Sequence, residues 1–141
     1  IDVGAGVEAG ARVVRPGDGV SVFTWGWMVH RALAAAEALG DEGISVEVVD
    51  LRVLAPLDER TMMESVGRTG RALVVHEAQL TGGFGGEIAA RIAEGAFESL
   101  DAPVRRLAYP DHPVPFNKEL EAVCLPDEES IAASLRELAA W

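Results

Sequence analysis

Short runs of β-forming apolar residues alternate with segments of helical period along most of this chain, and that alternation leaves few ways to fold. Residues 19–25, GVSVFTW, are bounded by Pro16-Gly17-Asp18 and Gly26, the pattern of a buried strand. MVHRALAAAEALG follows, with Val29, Leu33, Ala36 and Leu39 on one helical stripe and Gly40 as its stop. Residues 44–51, ISVEVVDL, alternate at first and lose the period at Val49 and Leu51, as a strand covered on both faces does. LAPLDER marks a turn before a short helix near residues 58–67, and RALVVHEA supplies a third strand. A helix from about Gly85 to Leu100 sets Ile88, Ile92, Ala96 and Leu100 on one face, with Ala89, Ala93 and Phe97 beside them. PVRRLAYP, residues 103–110, gives a fourth strand. The closing helix begins at Pro126 with Asp127, Glu128 and Glu129 in its first turn and aligns Ile131, Leu135 and Leu138. ARVV, residues 11–14, adds an edge strand. The reading is an α/β fold in three layers, a mostly parallel five-stranded sheet with right-handed crossovers and one edge strand free to run antiparallel.

The chain has 141 residues, 49% of them hydrophobic, enough to bury one substantial core. Residues 1–10, IDVGAGVEAG, show neither helical nor strand period and read as a linker or the cut end of something longer, which leaves 11–141 as the domain. The net charge of −11 repels phosphate backbones and anionic bilayers, so nucleic acid and membrane are poor partners. A single cysteine, Cys124, permits no internal disulfide. A cytoplasmic location, or an organelle matrix such as that of a mitochondrion, is expected.

Residues 74–92, VVHEAQLTGGFGGEIAARI, place four glycines between a strand and a helix, an arrangement that can cradle phosphate. The dinucleotide fingerprint fails because Ile88 stands where its third glycine belongs. The Walker loop fails because Gly86 is followed by Glu87, whose carboxylate sits at the positive helix end. Gly82, Gly83, Gly85 and Gly86 are therefore read as permitting a tight turn and close helix-on-sheet packing.

Three histidines could carry chemistry near neutral pH. His30 reads as a partly exposed helix residue. His76 and Glu77 end the third strand, at the edge where open α/β sheets bind ligands, but adjacent strand residues point to opposite faces and cannot share one metal or proton. His112, in YPDHPVP, reads as a solvent-facing or interface residue. Metal-ligand spacings and the Gly-x-Ser-x-Gly elbow are missing from the sequence, and Cys124, with no basic neighbour in sequence, reads as a small buried apolar residue. Trp25 and Trp27, flanking Gly26, make a protein interface plausible.

The phrases SVFTWGWMVHRALAAAEAL, VEVVDLRVLAPLD, HEAQLTGGFGGEIA, YPDHPVPF and LPDEESIAASLREL together resemble the C-terminal domain of the β subunit of thiamine-diphosphate-dependent 2-oxo acid dehydrogenases of the pyruvate and branched-chain type, within the transketolase superfamily. The likeness runs from about Ala11 to Leu138. It departs at Trp25 and Trp27, where the family usually shows tyrosine and a small residue.

The resemblance implies a non-catalytic assembly domain that itself binds neither cofactor nor metal. Thiamine diphosphate and its magnesium ion would lie in the full enzyme between other domains. The implied partners are the α subunit and a second β subunit of a heterotetramer, and the peripheral-subunit-binding domain of an acyltransferase core. Under this reading His76, Glu77, Thr81, Gly82, Gly83, Phe84, Gly85 and Gly86 face a subunit interface, while Asp111 and Trp141 belong to an acidic docking surface for the acyltransferase core. Two rivals are the same domain from a deoxyxylulose phosphate synthase or a 2-oxo acid:ferredoxin oxidoreductase, and a stand-alone phosphate- or nucleotide-binding module.

Overall fold

The computed structural model describes residues 10–141, so most of the predicted linker lies outside the described residues. Five strands form one sheet: β1 (Arg12–Arg15), β2 (Val20–Thr24), β3 (Val46–Asp50), β4 (Ala72–Gln79) and β5 (Arg105–Tyr109), in the order β1-β3-β2-β4-β5. All neighbours pair in parallel except β1 with β3, so the antiparallel strand is the first one, at the edge. Five helices surround it: α1 (Met28–Asp41), α2 (Glu59–Thr69), α3 (Gly85–Gly95), α4 (Lys118–Cys124) and α5 (Glu128–Ala139).

Alternation along the strands assigns the two cores. Val20, Val22, Val46, Val48, Leu73 and Val75 point to one face, where α1 contributes Ala32, Ala36 and Leu39 and α5 contributes Ile131, Leu135 and Leu138. Phe23, Val49 and Val74 point to the other, against Met62 and Val66 of α2 and Ile88 and Ile92 of α3. This second face also holds a buried polar cluster. Ser21 Oγ lies 2.7 Å from Ser65 Oγ and 2.8 Å from Thr69 Oγ1, Ser65 Oγ donates to the Glu47 carboxylate, and Arg68 Nη2 donates to Glu47 Oε2 at 2.7 Å.

Helix starts follow their caps. Asp127 accepts from Ser130 N at 2.8 Å while Ser130 Oγ accepts from Asp127 N at 3.0 Å, a reciprocal box that opens α5. Asp58 accepts from Thr61 N at the start of α2 and from Ala11 N, both at 3.1 Å, so one carboxylate caps a helix and anchors the edge strand.

Three expectations require correction. Gly40 does not stop α1; the helix continues to Asp41, and the turn falls at Gly43, whose φ of 82° suits glycine. The long helix of residues 85–100 ends at Gly95, which packs closely on Met63, and a short 3-10 turn over Phe97–Ser99 follows. The chain bends there so that Asp101 N donates to Gly70 O at 2.7 Å, leaving Phe97 74% exposed rather than beside the apolar stripe. Finally, α4 has no counterpart in the sequence reading, and Cys124 at its end is half-buried beside His112 rather than inside a core.

Candidate functional site

The chain leaves β2 toward β3 on one side and later enters β4 on the other, so the sheet's topological switch lies between β2 and β4 at their carboxyl ends. At that edge Trp25, Gly26 and Trp27 lead from β2 into α1, and His76 and Glu77 lie in the last turn of the pleat of β4. Gly26 turns the chain with a φ of 62°. The side chains of β4 divide as the pleat requires: His76 is fully buried, and Glu77 is exposed on the opposite face.

His76 fills the space beneath the glycine turn. Its ring stacks on Trp25 with centroids 5.5 Å apart and planes 8° from parallel, and Phe84 meets Trp25 edge-on at 6.3 Å. A β-carbon at Gly85 would lie 2.2 Å from His76 Nε2, and one at Gly83 would lie 2.7 Å from His76 Cε1 and 2.2 Å from Gln79 O. These two glycines therefore exist where side chains would collide with an imidazole and a strand. Burial, and secondly the Arg106 guanidinium, hold His76 below its ordinary pKa, and neither ring nitrogen has a hydrogen-bond partner.

A diphosphate does not fit this turn. The room that the glycines leave is occupied by His76, and the first turn of α3 carries Glu87, engaged with Arg91 Nε at 2.7 Å. Among the described residues no group of three or more His, Cys, Asp or Glu side chains is close enough to hold a metal ion. The turn is instead tied to the exit of β5. Thr81 N donates to Asp111 Oδ1 at 2.8 Å and Thr81 Oγ1 to Asp111 Oδ2 at 2.5 Å, while Arg106 Nη1 donates to Leu80 O at 2.8 Å. The Thr81 hydrogen bonds hold the Asp111 carboxyl below its ordinary range.

The residues predicted for a subunit interface thus fall into two layers. Glu77, Thr81 and Gly82 are exposed; Gly83, Phe84 and Gly86 are half-buried; His76 and Gly85 lie beneath them as support. The two residues assigned to acyltransferase docking are not brought together. Arg136 of α5 donates to Glu42, just past the end of α1, and Arg105 at the start of β5 pairs with Glu137. Trp141 therefore lies toward the amino edge of the sheet, whereas Asp111 follows β5 at the carboxyl edge.

Sequence reasoning missed an apolar strip past β5. Val114 is 53% exposed, Phe116 fully so, Leu120 58% and Val123 84%. Leu120 and Val123 stand three apart on α4, hence on one helical face. The proline-rich start of the segment signals a loop, but nothing in its period distinguishes an outward apolar face from an inward one.

A mostly parallel five-stranded sheet with helices on both faces and a closely packed turn at its carboxyl edge defines a doubly wound α/β domain. The chain belongs to the transketolase C-terminal domain family, whose profile ("Transketolase, C-terminal domain") matches residues 9–131. It is 47% identical over 126 residues to the acetoin:2,6-dichlorophenolindophenol oxidoreductase subunit beta of Cupriavidus necator, covering 89% of this chain and 37% of that protein. It is 45% identical over 133 residues to the pyruvate dehydrogenase E1 component subunit beta of Bacillus subtilis, covering 94% of this chain and 41% of that one. Among solved structures, a split-gene transketolase described as an inactive beta4 tetramer superimposes with a TM-score of 0.75 at 27% identity, over 92% of this chain and 41% of that one. The chain thus spans about two-fifths of the length of these relatives.

Proposed function

We propose that this chain is the C-terminal assembly domain of the β subunit of a 2-oxo acid dehydrogenase, an enzyme that oxidatively decarboxylates 2-oxo acids and passes the acyl group to a lipoyl acyltransferase. The 45% identity to the pyruvate dehydrogenase β subunit supports the enzyme class. In this reading the domain supplies no catalytic group. Thiamine diphosphate and magnesium belong to other parts of the enzyme, in keeping with a glycine turn filled by His76.

The observation that carries the assembly role is the exposed strip of Val114, Phe116, Leu120 and Val123. Large apolar side chains exposed together within one ten-residue stretch invite a protein contact. The exposed part of the glycine turn, Thr81 and Gly82 with Glu77, adds a second, polar contact at the same carboxyl edge. An α subunit and a second β subunit are the partners proposed for these surfaces, in a cytoplasmic or mitochondrial-matrix enzyme. Docking on the acyltransferase core is assigned to acidic surface, on the strength of the −11 charge, with Asp111 as one of its members.

Co-purification tests the proposal. The full-length protein bearing this chain, expressed with its α subunit, should sediment as one mixed oligomer and decarboxylate a 2-oxo acid only in that form. Full-length protein that ignores the α subunit would overturn the reading. Binding to the acyltransferase's subunit-binding domain should weaken as salt rises, and binding indifferent to salt would remove the electrostatic contact.

A further inference from the structure

The segment after β5 brings together three residues that are far from obvious partners in sequence. Cys124 Sγ lies 3.7 Å from His112 Nε2, and the His112 ring packs edge-on against Tyr109 with centroids 5.2 Å apart. The other ring nitrogen of His112, Nδ1, is 3.1 Å from the carbonyl oxygen of Pro113. A carbonyl can only accept, so the hydrogen-bond pattern places the proton on Nδ1 and leaves the lone pair of Nε2 facing the thiol. Thiol, base and a group that orients the base make the arrangement that activates a nucleophile.

A second observation says what the site lacks. Tyr109 is 99% buried, and its hydroxyl faces the Cys124 sulfur, a weak acceptor, with no nitrogen or oxygen partner. Burial and, next, the neighbouring Cys124 raise its pKa to about 12, which keeps it a neutral donor at any physiological pH. A buried donor beside a sulfur is satisfied if that sulfur gains an oxygen. Cys124 is half-buried, and its neighbour His112 lines a shallow groove of about 400 Å³ with Gln79, Thr81, Asp111 and Pro113. The Thr81–Asp111 hydrogen bonds pin the loop that carries His112.

We propose that Cys124 is a peroxide-sensitive modification site, with His112 as the proton acceptor and Tyr109 as the donor that holds the oxidised product. The thiol proton passes to His112 Nε2 as the sulfur attacks one oxygen of hydrogen peroxide. An S–O bond forms and the O–O bond breaks; the departing oxygen takes the proton from His112 and leaves as water. Sulfur loses two electrons, peroxide gains two, and the Tyr109 hydroxyl donates to the new sulfenic oxygen. The inference applies to the protein before its carboxyl edge is covered: the subunit contact proposed for residues 114–124 would shield Cys124, so the test uses the protein without its α subunit.

The experiment treats purified full-length protein with hydrogen peroxide, traps sulfenic acid with dimedone, and follows the Cys124 peptide by mass spectrometry, with N-acetylcysteine in the same tube. Cys124 should be trapped faster than the free thiol by roughly tenfold or more. His112→Gln should bring it down to the free-thiol rate. Tyr109→Phe should leave trapping fast but shorten the life of the sulfenic acid, measured by delaying the dimedone. Trapping of Cys124 no faster than the free thiol, or unchanged by His112→Gln, would overturn the site, and an unchanged lifetime in Tyr109→Phe would remove the phenol from it.

Discussion

The imidazole of His76 occupies the space that a β-carbon on Gly85 would need, 2.2 Å from Nε2. A sequence that looks like a phosphate loop is thereby a packing device: the helix start can descend onto the sheet only because no side chain intervenes. Gly85→Ala should destabilise the protein by about 1–3 kcal/mol, the usual cost of overpacking. In a His76→Ala background the same change should cost much less, since the colliding ring is gone. Urea midpoints of the four proteins give the coupling directly, and additive effects would contradict the contact.

The same histidine makes stability pH-dependent. Its folded pKa is depressed from the ordinary 6.5, so the unfolded chain binds the proton more readily. The stability tied to a neutral His76 is complete well above 6.5 and declines as pH falls through it. An NMR titration should find the His76 ring changing state below 6.5, and chemical denaturation should find the protein weaker at pH 5.5 than at 7.5. A ring that titrates at or above 6.5 would contradict its burial.

Glu47 and Glu42 offer a contrast of place. Glu47 is 2% exposed and gathers Ser65 and Arg68, whereas Glu42 pairs with Arg136 at the surface. Glu47→Ala should cost about 1–3 kcal/mol, because it leaves the buried Ser65 hydroxyl without its acceptor, while the exposed Arg68 guanidinium turns to water. Glu42→Ala should cost far less, because water and salt screen a surface pair. Thermal unfolding of both variants checks the ranking.

Gly67 gives a prediction of opposite sign. It lies inside α2, and a β-carbon there would meet nothing within 4 Å. Gly67→Ala should therefore stabilise the protein, by about 0.5–1 kcal/mol, through helix propensity and a less free unfolded chain. A lower melting temperature would contradict the open environment.

These contacts also show where the sequence was informative. The β-strands and α1, α2 and α5 were readable because each buries a face, so packing writes a period into the residues: Ile131, Leu135 and Leu138 could hardly serve another end. The glycine turn was readable in its failures, at Ile88 and Glu87. Helix α4 was not, since its apolar residues Leu120 and Val123 point outward and only the Asn117 cap, accepting from Glu119 N at 2.8 Å, marks its start. The buried role of Glu47 was hidden because a charged residue in a strand ordinarily marks a solvent face. His112 and Cys124 meet across eleven intervening residues only because the loop folds back, which no local pattern encodes. Asp111 and Trp141 shared an acidic or terminal character in sequence, and the parallel course of α1 and α5 sends them to opposite edges.

Hydrogen exchange on the full-length protein, alone and with its α subunit, tests the assembly role most directly. Backbone amides of residues 114–124 and of Thr81 to Gly86 should slow on mixing, while those of the exposed Phe97 turn serve as reference. Unchanged exchange across both segments in a complex that demonstrably forms would contradict the claim that this domain's carboxyl edge is where the subunits meet.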